Sequence, residues 1–179
     1  MLKTKPLTTL DEVNLFFDQA AEDLSINGLG ARVVVQGFGN VGSWVAQLVH
    51  NNGCRVGDVG DGIYNPAGLG IPAVVAYHQA EGTVAGFPSS DDITNGELLR
   101  LECEILVPAA IDTVINEENA RYVKAPLILK AANHPTTPEA DNILSASGTI
   151  ILPDILVNAG GVIVSYIEWT QNIQEFHRD

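Results

Sequence analysis

Apolar and polar positions recur along this chain with two different periods, and their alternation sets out an order of elements. From Thr9, with Glu12 at capping-box spacing, Val13, Phe16, Phe17, Ala20, Ala21 and Leu24 share one helical face, which predicts an amphipathic helix ending near Asn27-Gly28. The β-branched run Val33-Val34-Val35 predicts a buried strand, and Val41 to Val49, closed by Asn51-Asn52-Gly53, predicts a helix after it. The same reading gives a strand from Cys54 to Val59, a helix from Ile71 to Gln79, a helix capped by Thr94 with Glu97, and a strand from Ile105 to Val107. Then follow a short helix after Asn116, a strand Leu127 to Leu129, a helix from Thr137 with Pro138 in its first turn, a strand Ile150 to Leu152, and a last helix from Ala159 to Phe176.

Continuously apolar strands separated by helices imply an α/β fold, Rossmann-like and doubly wound: a mostly parallel sheet with helices on both faces. No repeat or long linker divides the chain, so the expected organisation is a leading helix over 1–28 and one domain over 29–179. Gly57 and Asp58 break the apolar run of the second strand, where glycine weakens pairing and an unpaired buried aspartate costs more. Trp44 and Trp169 are expected to pack on the sheet from their helices.

Composition narrows the function. Of 179 residues 46% are hydrophobic, and 22 Asp plus Glu against 9 Lys plus Arg leave a formal charge of −13. A chain of this size buries roughly 70% of its unfolded surface, so it supports a core without metals or disulfides. Its acidic balance and lack of a basic cluster argue against nucleic acid and anionic membrane surfaces as partners. Cys54 and Cys103 show no CxxC and no metal-ligand spacing to His50, His78, His134 or His177, so no metal site is expected and a reduced, cytoplasmic protein is the simplest reading. The stretch Thr149 to Trp169 is interrupted by Pro153, Asp154 and Asn158, which argues against a membrane span.

One segment carries specific chemistry. Gly37-Phe38-Gly39-Asn40-Val41-Gly42 is a G-x-G-x-x-G that directly follows a predicted strand and opens a predicted helix, with Asp61 lying 19 residues beyond Gly42. Gly37 permits the tight turn, Gly39 removes a Cβ that would block a pyrophosphate, and Gly42 lets helix and strand approach. The positive end of the helix faces the phosphates. A carboxylate at Asp61 accepts the adenosine ribose hydroxyls and repels a 2′-phosphate, and no Lys or Arg follows in Gly62-Ile63-Tyr64-Asn65, so NAD is expected over NADP.

Longer strings carry a resemblance. Gln36 through Gly42, Gly62-Ile63-Tyr64-Asn65-Pro66, Gly86-Phe87-Pro88, Val107-Pro108-Ala109-Ala110, Ala132-Asn133, Pro135 through Asp141, Pro153 through Leu156 and Asn158 through Val162 resemble the coenzyme-binding domain of glutamate dehydrogenases, within the glutamate, leucine, phenylalanine and valine dehydrogenase superfamily. The resemblance implies oxidative deamination of L-glutamate to 2-oxoglutarate and ammonia in the complete enzyme, with hydride passing from the substrate Cα to the nicotinamide. It implies that Phe38, Asn40 and Val41 line the pyrophosphate, Asp61 the adenosine ribose, and Ala109 and Ala110 the dinucleotide on the sheet edge. Asn133 and Asn158 would reach the nicotinamide end, Val162 would shape the substrate cavity, and Ser165 would bind the distal carboxylate of glutamate. From the residues alone, Asn158 reads first as a helix N-cap and Ser165 first as a helical serine bonded to its own backbone.

The resemblance also implies a second domain with a lysine-bearing, glycine-rich segment and an aspartate for proton transfer. The lysines here, Lys3, Lys5, Lys124 and Lys130, lie in no such segment, so no catalytic residue is expected in this chain, and a truncated product or fragment that binds NAD without turnover is the leading expectation. Hydride transfer needs both halves of a water-poor cleft. Lys130 stands where the family usually has a glutamate and His134 where it often has glycine; Lys130, the short loop between Asp61 and Ile63, and Asp58 motivate the alternative of a non-catalytic, regulatory or partner-binding homologue that binds a dinucleotide or a partner without chemistry. Apolar cleft surface left uncovered predicts self-association, most simply as a homo-oligomer.

Overall fold

The computed structural model describes residues 30–60 and 62–158. The predicted leading and final helices lie outside these residues, as do Asp61, Val162, Ser165 and Trp169.

Strand β1 (Arg32–Gln36) is followed by helix α1 (Asn40–Asn51) and strand β2 (Arg55–Gly60). Then come β3 (Ile63–Tyr64), α2 (Ile71–Glu81), β4 (Asp91–Asp92), α3 (Asn95–Leu98) and β5 (Ile105–Pro108). After a 3₁₀ turn at Ala120–Tyr122 come β6 (Leu127–Leu129), α4 (Pro138–Ala146), β7 (Ile150–Leu152) and α5 (Asp154–Val157). These form one seven-stranded sheet in the order β4-β3-β2-β1-β5-β6-β7. The five strands from β2 to β7 run parallel, and β3 and β4 are antiparallel additions at one edge. The expected mostly parallel, doubly wound α/β sheet is the one observed.

Period-2 alternation in β1 divides the core. Val33 and Val35 join a cluster with Val45, Ala46 and Val49 of α1 and Ile71 and Val74 of α2. Val34, between them, joins a second cluster with Leu98 of α3 and Ala140 and Leu144 of α4. Both faces of the sheet are therefore covered, which is why β1, β5 and β6 read as unbroken apolar runs. Helix α1 buries Gly42, Val45, Ala46 and Val49, one stripe at helical spacing. Its Trp44 is 55% exposed, a correction to the expected packing on the sheet: position 44 falls on the solvent side of that stripe.

Local chemistry fixes the element ends. Thr94 accepts the Glu97 N–H at 3.3 Å while the Glu97 carboxylate accepts the Thr94 N–H at 2.8 Å, closing the capping box that starts α3. These bonds from the Thr94 backbone and hydroxyl hold the Glu97 carboxyl below its usual range. Thr137 accepts the Ala140 N–H at the start of α4, with Pro138 in the first turn. At the amino-terminal end of the sheet, Arg32 grips Glu104 through backbone and guanidinium, with its Nη2 2.8 Å from the carboxylate.

Three further departures from expectation have physical causes. The short helix after Asn116 is a three-residue 3₁₀ turn, because the Asn119 side chain takes the Asn116 N–H at 2.9 Å and donates to the Val114 carbonyl at 2.8 Å, diverting the backbone from helical bonding. Gly57 and Asp58 do not interrupt β2. The register passes from Val33 opposite Val56 to Val34 opposite Asp58, so Gly57 is the extra residue of a bulge. Strands β3 and β4 have two residues each, too few to show a period.

Candidate functional site

Strand β1 lies between β2 and β5, so the chain leaves β1 to one side through α1 and returns to its other side at β5. The crevice outside the carboxyl ends of these strands is the switch point of the sheet, where ligands bind in open α/β folds. A cleft of about 700 Å³ opens there. It is floored by the glycine turn and by Ala109 and Ala110 at the end of β5, and walled by Gly62, His78, Thr83, Val84, Asp92 and Ile93.

The turn is shaped by missing side chains. Gly37 has φ +96°, and a Cβ there would lie 2.5 Å from the Ala110 Cβ. A Cβ on Gly42 would collide with the Gly37 carbonyl oxygen, so α1 can start this close to β1 only with glycine at 42. Gly39 differs: among the described residues a Cβ there meets no atom within 4 Å, so its smallness is not required by their packing. Gly39 is also the N-cap of α1 and supplies no side-chain hydrogen bond. Among the described residues no N-cap side chain therefore takes the first-turn N–H groups of this twelve-residue helix, whose start lies beside the cleft, a geometry suited to an anion.

Each expected site residue among those described has a definite place. Gly37, Phe38, Gly39, Asn40 and Val41 line the cleft, as do Ala109 and Ala110. Gly42 lies beneath, against the turn. Phe38 turns its ring into the core, edge-to-face on His78 with centroids 5.4 Å apart, and so offers a ligand mainly its backbone. Ala109 is fixed by its N–H to the Gln36 carbonyl at 2.8 Å. Asn133 and Asn158 lie further along the sheet, and the Asn158 amide donates to the Asn133 side-chain oxygen at 2.8 Å. Asn158 follows α5 as its C-cap and is not an N-cap to that helix. His78 and Asp92 were not foreseen; Gly82, which closes α2 in a left-handed conformation and turns the chain toward the cleft, is the sequence signal for that wall.

The two departures beside Asn133 are structural. The Lys130 side chain is 9% exposed and its ammonium lies 2.7 Å from Asp141, which also accepts the Thr136 hydroxyl at 2.6 Å. His134 has φ +45°, the left-handed region that favours glycine. Its N–H donates to the Asp154 carboxylate at 2.7 Å, and its carbonyl accepts the Thr113 N–H at 2.8 Å. Partial burial on its own raises the Asp154 pKa, but the N–H donors of His134 and Ile155 outweigh it and hold the carboxyl below the usual aspartate value. Among the described residues no cluster of His, Cys, Asp and Glu could hold a metal ion, and no helix is long and apolar enough to cross a membrane.

Comparison with known proteins gives this cleft a context. The Glutamate/Leucine/Phenylalanine/Valine dehydrogenase family model matches residues 5–179. The chain is 48% identical over 164 residues to a glutamate dehydrogenase of Thermotoga maritima, covering 89% of this chain and 39% of that protein. It is 46% identical over 172 residues to the cryptic catabolic NAD-specific glutamate dehydrogenase GudB of Bacillus subtilis, covering 94% of this chain and 40% of that protein. Among solved structures, the hetero-hexameric glutamate dehydrogenase of Thermus thermophilus in its Leu-bound form superposes with a TM-score of 0.85 at 31% identity, over 99% of this chain and 42% of that one.

Proposed function

The chain belongs to the Glutamate/Leucine/Phenylalanine/Valine dehydrogenase family, and we propose that residues 29–179 are the dinucleotide-binding domain of a glutamate dehydrogenase, with residues 1–28 a leading helix. The carrying observation is the glycine turn at the switch point, where Gly39 faces open space and the uncapped start of α1 meets the cleft. In this reading the pyrophosphate lies on Gly37 to Gly42, the adenosine extends toward β2 and Asp61, and the nicotinamide passes Ala109 and Ala110 toward Asn133 and Asn158. NAD is the cofactor in preference to NADP. Val162 and Ser165 meet the substrate.

The sequence spans about two-fifths of the curated relatives it matches, at 39% and 40% of their lengths. Oxidative deamination of L-glutamate then requires a complementary domain to close the cleft and supply the lysines absent from these residues. When NAD is bound it accepts the hydride; this chain's part is to hold the two ends of the dinucleotide and to orient the ring. Exposed Ile111, Ile155 and Leu156 lie just beyond the carboxyl ends of β5 and β7, an apolar rim that supports self-association or cover by such a domain. A cytoplasmic setting belongs to the same reading. The alternative of a non-catalytic homologue loses one motive, since Lys130 is ion-paired with Asp141.

Calorimetric titration of the folded chain with NADH, with Gly39→Val as control, tests the reading. Saturable binding that weakens at least about a hundredfold in Gly39→Val is the expected result. A folded chain that binds no dinucleotide would overturn it.

A further inference from the structure

We propose that Asp92, on the antiparallel edge strand β4, is a specificity-determining residue of the cleft: its carboxylate receives the ribose hydroxyls of an adenosine and rejects one bearing a 2′-phosphate. This rests on the reading of the cleft as a dinucleotide site.

The position of Asp92 follows from the sheet. Strand β3 returns antiparallel to β2, with Val59 opposite Ile63, and β4 pairs with β3, placing Ile63 opposite Asp92. The Ile93 N–H donates to the Gly62 carbonyl at 2.8 Å, which binds the far end of β4 to the turn between β2 and β3. A Cβ on Gly62, at φ +118°, would run into the Ile93 carbonyl, so the two segments meet at backbone contact. Asp92 is thereby carried from the outermost strand to the wall of the cleft on its β2 side. With the proposed pyrophosphate at the glycine turn of the same cleft, this wall on the β2 side would fall to the adenosine half.

Charge makes the wall selective. Among the described lining residues Asp92 is the one carboxylate, and no lysine or arginine is present. The imidazole there, His78, stands edge-to-face against Phe38. Asp92 Oδ1 accepts the Gly86 N–H at 3.1 Å, which orients the carboxylate, and among the described residues Oδ2 accepts no hydrogen bond. An exposed, oriented carboxylate accepts from neutral hydroxyls and repels a phosphate dianion a few ångströms away.

The test is calorimetry on the whole chain with NADH and NADPH, and with AMP and adenosine 2′,5′-bisphosphate to isolate the adenosine half. Asp92→Asn keeps the oxygen that accepts the Gly86 N–H, and circular dichroism checks that the variant folds. For the unaltered protein we expect NADH to bind at least about tenfold more tightly than NADPH, the gap narrowing as salt rises from 50 to 500 mM. Asp92→Asn should strengthen NADPH and the bisphosphate about tenfold and weaken NADH by about threefold. Retained NADH binding with an unchanged NADH to NADPH ratio in Asp92→Asn would overturn the proposal and leave the cofactor reading intact. A shift in Asp61→Asn with none in Asp92→Asn would overturn it as well, assigning the discrimination to Asp61. Absence of any nucleotide binding by the unaltered, folded chain would overturn both.

Discussion

Two stretches of the same sheet edge are built in opposite ways. At the carboxyl ends of β1 and β5 the chain withdraws side chains: Gly37, Gly39, Gly42, Ala109 and Ala110 leave backbone facing a cleft. At the ends of the neighbouring strands β6 and β7 the residues are tied to one another. Lys130 is held by Asp141, His134 by Asp154, and Asn133 by Asn158. The first stretch leaves backbone facing the cleft, where the proposed dinucleotide would complete its bonds. The second completes them internally and so fixes two carboxamides in place before any ligand arrives. Recognition by backbone tolerates little at the glycines, whereas positioning by side chains spreads its cost over a network.

The sharpest way to break the comparison is within the glycine turn itself. Gly42→Val should cost the fold about 4 kcal/mol, because the new Cβ meets the Gly37 carbonyl and α1 must move from β1. Gly39→Val, three residues earlier, should cost the fold under about 1 kcal/mol while weakening nucleotide binding at least about a hundredfold. Paired urea denaturation and titration of the two variants separate a glycine needed for packing from one needed for a ligand. Equal stability losses would show that the turn is not divided in this way.

On the bonded side, Asp141→Ala strands a nearly buried ammonium and removes the acceptor of the Thr136 hydroxyl, for an expected loss of about 3 kcal/mol. Asp141→Ala combined with Lys130→Met should recover at least half of it by urea denaturation. A smaller effect is expected at Asp154. A carboxyl whose pKa is depressed on folding contributes stability that is complete above its unfolded value near 3.8 and is lost as pH falls below that. Acid titration of stability should therefore show a shallower slope below pH 4 in Asp154→Asn, at a cost of about 1 kcal/mol at pH 7. The smallest effect concerns His134. Glycine there relieves left-handed strain of about 1 kcal/mol but adds freedom to the unfolded chain, for a net gain of about 0.5 kcal/mol in thermal unfolding.

Much of this architecture was legible before any coordinates. The valine run of β1, the apolar stripe of α1, the Thr94-Glu97 box and the Thr137-Pro138 start each state a local rule that the fold obeys. The glycine turn was legible because three separate requirements meet in six residues. What escaped notice depends on contacts distant in sequence. Strands β3 and β4 exist because Gly62 and Ile93 meet backbone to backbone, and no propensity marks Asp91-Asp92 as a strand. Lys130 reads as an anomaly until Asp141, one helical turn into α4, is seen beside it. Trp44 was misplaced because large aromatic size suggested burial where the helical phase gave exposure.

The bulge at Gly57 has a geometric consequence for the floor of the cleft. With the extra residue taken up inside β2, Gly60 stands opposite Gln36, so β1 and β2 finish level with each other. Gly57 works as a shim. Each residue of strand adds about 3.3 Å, so a chain without that slack would carry the exit of β2 one rung higher, making a step where the floor is now flush. Pairing the same residues without the bulge would raise the doorway through which the outer half of the proposed ligand would pass, and would turn the residues after Gly57 to the opposite face of the sheet.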